Sequence, residues 1–223
     1  ATSRKDIVLV VCGSATSWIV EKIINNHGGL HNRLTKRIKL NPFTLKECES
    51  FIESKHISMN RYQIVEAYMV LGGIPYYWNF LKKGLSVAQN IDRLFFQESG
   101  ELQNEFDMLY ASLFRFPEGY VKIVTALGGK KVGMTRKEII DTTQIADSGT
   151  LTRMLKELEW CGFIRKYNNI GKTSKEAIFQ LIDNYTLFYF QFIQKNHLMD
   201  EHFWTTSQNS PLYHAWSGLA FER

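Results

Sequence analysis

The residues best suited to phosphate chemistry lie in the N-terminal part of this sequence. Ser14 follows the apolar run Ile7 to Cys12, which has the length and composition of a strand buried on both faces. A polar side chain at the carboxyl end of such a strand lies where α/β sheets bind ligands, and it can equally cap the next helix. Arg33 could reach phosphate charge, although taken alone it fits a surface arginine better. Each residue therefore keeps two interpretations.

A second set of candidate residues could contact nucleic acid. The outward face of a helix predicted over residues 148–160 carries two bases and two acids, which suits a DNA groove poorly because phosphate contacts need net positive charge. The hairpin predicted after this helix adds further cations. The candidate DNA contacts are Arg153, Lys156, Arg165, Lys166, Lys172 and Lys175. Duplex DNA is one possible partner, and docking onto protein is the favoured alternative.

The sequence carries no complete catalytic or metal-binding motif. A P-loop would read G-x-x-x-x-G-K-[ST], but Lys166 stands where the first glycine would precede Gly171-Lys172-Thr173. No apolar run ends in the acidic pair that would hold Mg²⁺. His27 and His31 flank a glycine pair that disfavours a helix, so zinc spacing is not credible. We therefore expect no metal site and no ATP hydrolysis by this chain alone, and whether its parent is an enzyme stays open.

Composition bounds the class of protein. The 223 residues are 44% hydrophobic and 13% aromatic, which excludes a disordered chain. No apolar run reaches the roughly 18 residues of a membrane span, and no secretory signal is present. The three cysteines are far apart and predict reduced core residues, so we expect a cytoplasmic protein without a membrane partner. The net charge of +5 reflects two basic segments, with 9 basic against 5 acidic residues in 1–60 and 11 against 7 in 117–182.

The first segment looks like half of a βα unit. The apolar strand at Ile7 to Cys12 is followed by a helix that opens near Trp18, but no partner strand precedes it. Either the rest of the sheet lies outside this sequence, or the strand pairs with the short segment Arg37 to Leu40. The first alternative is favoured.

Residues 42–116 predict a small all-helical domain. A capping box at Thr44 to Glu47 opens the first helix, and a second helix is bounded by Asn60 and the glycine pair Gly72-Gly73. Pro75 suits the first turn of a third helix through Leu81. Residues 88–116 are predicted to be helical as well.

Residues 117–182 predict a winged helix-turn-helix. A helix from Gly119 to Leu127 is followed by a capping box at Thr135 to Glu138 and by the helix over 148–160. Strands at 163–167 and 177–181 then form a hairpin. Three helices followed by a hairpin are the winged-helix order.

The C-terminal segment is aromatic. Tyr185, Phe188, Tyr189, Phe190 and Phe192 occupy most faces of a predicted helix, which should be buried against another domain. The sequence stops at Phe221-Glu222-Arg223 without an end signal, so it is expected to be cut there.

Taken in order, these segments resemble the prokaryotic archaeal-type ATPase family, a branch of the AAA+/signal-transduction ATPase class. The resemblance covers almost the whole chain and rests on five segments in the family's order: Ile7–Ser14, Leu30–Phe43, Gly72–Tyr77, 117–182 and Trp216–Glu222. The main departure from the family pattern is that this sequence has no P-loop. The resemblance implies that the P-loop belongs to a missing N-terminal ATPase core.

The resemblance implies a role for each matched residue. Ser14 would be the sensor-1 residue, Arg33 an arginine finger, and Pro75 with Gly73 would lie against adenine. Glu222 resembles the first acid of a restriction-endonuclease-like core whose remainder is absent. The intact parent would bind ATP and Mg²⁺, whereas this portion alone should hold neither.

The prediction is an α+β fold, predominantly α with a small β component. Its parts are the end of an ATPase core (1–41), a helical lid (42–116), a winged helix (117–183) and an aromatic helical linker into a further domain (184–223). The predicted function is to couple nucleotide state through the lid to the winged helix. The alternatives are a DNA-binding regulator and a protein-interaction module that uses the aromatic segment.

Overall fold

Helices dominate the fold, and one short antiparallel sheet lies among them. The computed structural model describes residues 10, 35–36, 38–168, 177–195 and 200–222. The predicted class, mainly α with a small β component, is confirmed. The elements are α1 (Leu45–Ser54), α2 (Arg61–Leu71), α3 (Pro75–Trp78), α4 (Val87–Phe95), α5 (Glu105–Leu113), α6 (Glu118–Gly128), β1 (Met134–Thr135), α7 (Arg136–Thr143), α8 (Gly149–Trp160), β2 (Ile164–Tyr167), β3 (Ile178–Leu181), α9 (Asn184–Phe188), a π-helical turn (Tyr189–Ile193), α10 (Phe203–Ser207) and α11 (Pro211–Phe221).

The helix starts predicted at Thr44 and Pro75 are confirmed, the helix predicted to open near Trp18 lies outside the described residues, and one predicted end is wrong. Thr44 and Glu47 form the expected capping box of α1, and Pro75 begins α3. The third helix was expected to run to Leu81, yet it ends at Trp78. After Trp78 the backbone forms a tighter turn, in which Phe80 N–H donates to the carbonyl three residues earlier. The Lys55 ammonium donates to the carbonyl of Asn79, which is then not available to continue the helix.

The helical character predicted over 88–116 is confirmed, and it takes the form of two helices, α4 and α5. The chain turns back between them, where Leu102 N–H donates to the Leu94 carbonyl at 3.0 Å. Gly100 permits this return, since a Cβ there would lie 2.5 Å from the same carbonyl oxygen. The close backbone approach requires a break that hydrophobic periodicity does not reveal.

The sheet has the order β1-β3-β2, and both pairings are antiparallel. Ile164 pairs with Leu181 and Tyr167 with Ile178, which confirms the predicted hairpin strands with each starting one residue later. β1 was not predicted, because its two residues are too short for any alternation and Thr135 also caps α7. Residues 7–9 and 11–12 of the predicted N-terminal strand lie outside the described residues, and Ile38 to Leu40 form no strand.

The C-terminal segment folds back onto helices α4 and α5. The ring of Phe106 in α5 stacks on Tyr189 with centroids 3.9 Å apart, and Phe95 in α4 lies 5.4 Å from Phe188. The expected burial of the aromatic segment is therefore confirmed, with partners from this same chain. One continuous hydrophobic core includes residues of both segments and of the sheet.

A buried carboxylate fastens this arrangement. Asp92 in α4 is 1% exposed and accepts hydrogen bonds from Trp204 N–H at 2.6 Å and Thr205 N–H at 3.0 Å. The Thr205 hydroxyl donates to the same carboxylate. These amides belong to the first turn of α10, where a negative charge is favourable. A side chain of α4 thus takes the capping role for a helix more than a hundred residues away.

Candidate functional site

The glycine-rich turn between α2 and α3, here named the Gly72–Pro75 turn, is held by hydrogen bonds on several sides. Gly72 adopts a positive φ of 59°, and its N–H donates to the Tyr68 carbonyl at 2.8 Å. The Trp78 indole donates to the Gly72 carbonyl at 2.7 Å. Phe43 N–H, which lies just before α1, donates to the Gly73 carbonyl at 2.6 Å.

The predicted adenine contacts Gly73 and Pro75 lie on different sides of this turn. Gly73 is buried, and a Cβ there would lie 2.1 Å from the Phe43 carbonyl oxygen, so the glycine is required by space. Pro75 is exposed, beside Tyr76 at 56% exposure. The exposed ring of Pro75 is available for stacking, whereas Gly73 shapes the turn. Ser14 and Arg33 lie outside the described residues.

One side chain connects the turn with the sheet. Asn184 Nδ2 donates to the Tyr68 carbonyl at 2.9 Å, the same carbonyl that receives Gly72 N–H. The Tyr68 hydroxyl in turn donates to the Phe43 carbonyl at 2.8 Å. Asn184 opens α9 directly after β3, and Ile182 N–H donates to the Phe163 carbonyl beside β2. Sequence reasoning missed Asn184, since nothing in its local pattern marks a partner 116 residues away.

The outward face of α8 is more basic than the sequence predicts. Arg153, Lys156 and Glu159 are exposed, as expected. Glu157, counted as an outward acid, is instead half-buried and accepts a hydrogen bond from the Tyr120 hydroxyl of α6. Two cations therefore face one acid on this surface. The Arg136 guanidinium donates to Asp147 at 2.6 Å and holds the turn that precedes α8.

The hairpin cations contact neighbouring side chains within the sheet. Arg165 Nε donates to Gln180 Oε1 at 2.8 Å, and Lys166 Nζ lies 5.9 Å from the centre of the Phe179 ring. The other two predicted wing contacts, Lys172 and Lys175, lie outside the described residues. The structure thus places Arg153, Lys156, Arg165 and Lys166 on neighbouring elements, α8 and β2.

The junction between α5 and α9 contains partly buried ionisable groups. Burial raises the pKa of Glu105, which accepts a hydrogen bond from the Tyr77 hydroxyl at 2.9 Å. Burial also raises the pKa of Asp183, the N-cap of α9, which accepts from Thr186 N–H at 2.8 Å. These carboxyl groups lie close to the path from the Gly72–Pro75 turn to the sheet. A loss of this burial would return both pKa values toward their usual range.

The described ranges hold neither a cluster of metal-binding side chains nor a helix fit to span a membrane. Across 38–168, 177–195 and 200–222, no three histidine, cysteine or acidic side chains converge as a metal site would require. Within the same ranges, every helix is too short or too polar to cross a bilayer.

Comparison with known proteins identifies one relative. No protein-family model matches the sequence, and no solved structure matches it. The chain is similar to an uncharacterized protein of Methanocaldococcus jannaschii, with 28% identity over 220 residues. The match covers 96% of this chain and 48% of the relative, so the chain spans about half of the relative's length.

Proposed function

We propose that this chain couples nucleotide state to a winged helix within an ATP-binding ATPase of the AAA+ type. In this proposal residues 1–41 end the ATPase core, 42–116 form the lid, and 117–183 form the winged helix. The element order α6-β1-α7-α8-β2-β3, with β1 paired to β3, supports the winged-helix assignment. The described residues of the C-terminal segment, 184–195 and 200–222, contribute to a core shared by the two parts.

The observation that carries the proposal is the hydrogen-bonded path through Asn184. A change at the Gly72–Pro75 turn reaches the Tyr68 carbonyl, then Asn184, and then the end of β3. Aromatic contacts join the same two parts beside this path, because Phe114 stacks on Tyr120 at 3.8 Å and Tyr110 lies 4.9 Å from Phe163. A lid joined to a winged helix in this way would transmit movement.

The nucleotide end of the proposal depends on the family resemblance. Adenine would pack against exposed Pro75, and the phosphates would meet Ser14 and Arg33. The P-loop and the Mg²⁺ ligands would come from a part of the protein that precedes this sequence. A bound nucleotide would then close the lid through its contact with the turn.

ATP turnover by the full-length gene product tests the proposal. Arg33→Ala should lower turnover by about a thousandfold, as expected for an arginine finger. The exposed Arg115→Ala is the matched control and should leave turnover unchanged. Equal turnover in the wild type and Arg33→Ala would exclude the role of Arg33, and absence of ATP binding would exclude the proposal as a whole.

Duplex DNA binding is a second candidate function, favoured by the position of Glu157. Because its carboxylate is engaged with Tyr120, the α8 face offers Arg153 and Lys156 against a single exposed acid. The double variant Arg153→Ala/Lys156→Ala should weaken DNA binding and lower the slope of log affinity against log salt by about two. Lys82→Ala/Lys83→Ala matches this loss of charge on the α3–α4 loop and should change neither. Binding that is insensitive to salt would count against this function.

The third predicted alternative is a protein-interaction module that uses the aromatic segment, and the side chains that suggested it are buried. The side chains of Tyr185, Phe188 and Phe192 are at most 1% exposed, and this chain's own helices cover them. Because these side chains are covered, they form no exposed aromatic surface that would argue for a protein partner.

A further inference from the structure

A groove lies where α6, the segment from α9 to the π-helical turn, and α11 meet. It has a volume of about 300 Å³, at the lower end of the range for small-molecule sites. Asn184 is part of its lining, so the groove adjoins the hydrogen-bonded path to the Gly72–Pro75 turn. Most of the other lining side chains are apolar, among them Met69, Leu187, Phe190, Leu212, Trp216 and Leu219.

Asn184 gives this apolar lining one specific polar atom. Its Nδ2 donates to the Tyr68 carbonyl at 2.9 Å, which fixes the orientation of the amide. Its Oδ1 is buried and accepts from no donor within the described residues. A buried acceptor without a donor costs free energy, which a hydroxyl or N–H group brought by a ligand would recover.

The charged groups of the lining favour an uncharged ligand. Lys195 Nζ already donates to Gln191 Oε1 at 3.4 Å. Lys131 is also engaged within the chain, and its carbonyl accepts from the Gln180 amide at 2.7 Å. No acidic side chain is among the described lining residues, so a cation would find no counter-charge there. An ionic ligand would therefore lose hydration without gaining an unengaged partner, whereas an uncharged ligand would not.

The backbone of one wall has an unusual form. Residues Tyr189 to Ile193 form a π-helical turn, in which Gln194 N–H donates five residues back to the Tyr189 carbonyl at 2.9 Å. Such turns are rare and occur frequently at functional sites. Phe190 of this turn lines the groove, and Gly128 on the opposite wall leaves room for its ring, since a Cβ there would lie 2.6 Å from that ring.

From these observations we propose that the groove binds a small uncharged molecule with an apolar body and a hydroxyl or N–H group that donates to Asn184 Oδ1. The apolar body packs between Phe190 and the α11 side chains Leu212 and Leu219. The bound ligand restrains the amide that also holds the Tyr68 carbonyl, and it thereby stabilises the Gly72–Pro75 turn. Binding needs no nucleotide, whereas any effect on the coupling rests on the proposed function.

Two uncharged probes of nearly equal shape test the site on the full-length gene product without nucleotide. 1-Naphthol has the apolar body and the hydroxyl donor, and 1-methylnaphthalene has a methyl group in place of the hydroxyl. Asn184→Leu should weaken binding of 1-naphthol about fivefold and leave that of 1-methylnaphthalene within about twofold. Ala215→Phe should fill the groove and weaken both probes. Asn104→Leu, an exposed position outside the groove lining, is the matched control and should change neither.

A direct measurement of position in the wild type keeps the test decisive if a variant fails to fold. 1-Naphthol should shift the indole NMR resonance of Trp216, which lines the groove, and leave that of Trp160, at the end of α8. It should also slow hydrogen exchange at Gly72 more than 1-methylnaphthalene does. The proposal is overturned if 1-naphthol does not bind, or if Trp160 responds and Trp216 does not. It is equally overturned if Asn184→Leu weakens both probes alike or neither. Because no nucleotide is present, these outcomes are independent of whether the protein binds ATP.

Discussion

The Gly72–Pro75 turn and the outward face of α8 differ in the interactions that determine their structure. The turn is fixed by Phe43, Tyr68 and Trp78, and its central glycine has no space for a methyl group. The α8 face instead projects Arg153 and Lys156 into solvent from a helix whose other side is buried. The first surface is specified by distant partners, and the second by the local amphipathic pattern. The turn should therefore be intolerant of substitution, whereas the α8 face should be tolerant.

The largest difference between the two regions is expected when one glycine in each is replaced by alanine, which adds a single methyl group. Gly73→Ala should lower the free energy of unfolding by at least about 3 kcal/mol, because the backbone of Phe43 would have to move. Gly149→Ala at the start of α8 meets nothing within 4 Å and should be neutral or stabilising by about 0.5 kcal/mol. Urea unfolding measures both. Similar effects of the two substitutions would remove the contrast.

Asp92→Ala should have the next largest effect, at the contact between α4 and α10. The substitution leaves the donors of Trp204 and Thr205 without their carboxylate, which should cost about 2 kcal/mol. Asp107→Ala, an exposed acid in the first turn of α5, is the control and should cost about 0.5 kcal/mol. A small effect of Asp92→Ala would show that the contact between α4 and α10 is not required for stability.

Asn184→Leu tests the link between the two regions. It removes the hydrogen bond to Tyr68, but the carbonyl keeps its bond from Gly72 N–H, so the cost should be only about 1 kcal/mol. Asn184 Oδ1 is buried and finds no donor within the described residues, and its removal offsets part of the loss. Hydrogen exchange at Gly72 should nevertheless become faster. Unchanged exchange there would show that Asn184 does not support the turn.

The smallest expected effect is a pH dependence of opposite sign at two carboxyl groups outside both surfaces, Glu138 in α7 and Glu105 in α5. Hydrogen bonds from Lys130 and Thr135 lower the pKa of Glu138 to about 2, so its contribution is present above pH 4.5 and is lost between about pH 4.5 and 2. Burial raises the pKa of Glu105, so its contribution is present below pH 4.5 and is lost as the pH rises through its folded value.

Unfolding measured across this pH range checks the signs. Against Glu138→Gln, the advantage of the wild type should grow from pH 2 to 4.5, to less than about 1 kcal/mol because the side chain is 43% exposed. Against Glu105→Gln, it should shrink as the pH rises. The same sign for both variants would contradict the assignment.

The sequence predicts the elements well where the signal is local. Capping boxes, the end of α2 before Gly72 and the start of α3 at Pro75 depend on neighbouring residues, and they are confirmed. The return of the chain between α4 and α5 and the two-residue strand β1 depend on contacts from elsewhere, and sequence patterns do not contain them.

The residues of the candidate site also differ in whether a local sequence pattern or a distant contact determines their position. The exposure of Arg153 and Lys156 follows from the period of α8, and it was predicted correctly. The burial of Glu157 depends on Tyr120 in another helix, and the role of Asn184 depends on Tyr68 far along the chain. Neither could be inferred without the packing.

Hydrogen exchange of the full-length gene product, with and without a non-hydrolysable ATP analogue, tests the coupling most directly. The proposal predicts slower exchange at Phe43 and Gly72 and a concurrent change from α8 to β3 in the wild type. In Asn184→Leu, only the change at the turn should remain. A nucleotide effect confined to the Gly72–Pro75 turn in the wild type, or none at all, would contradict it.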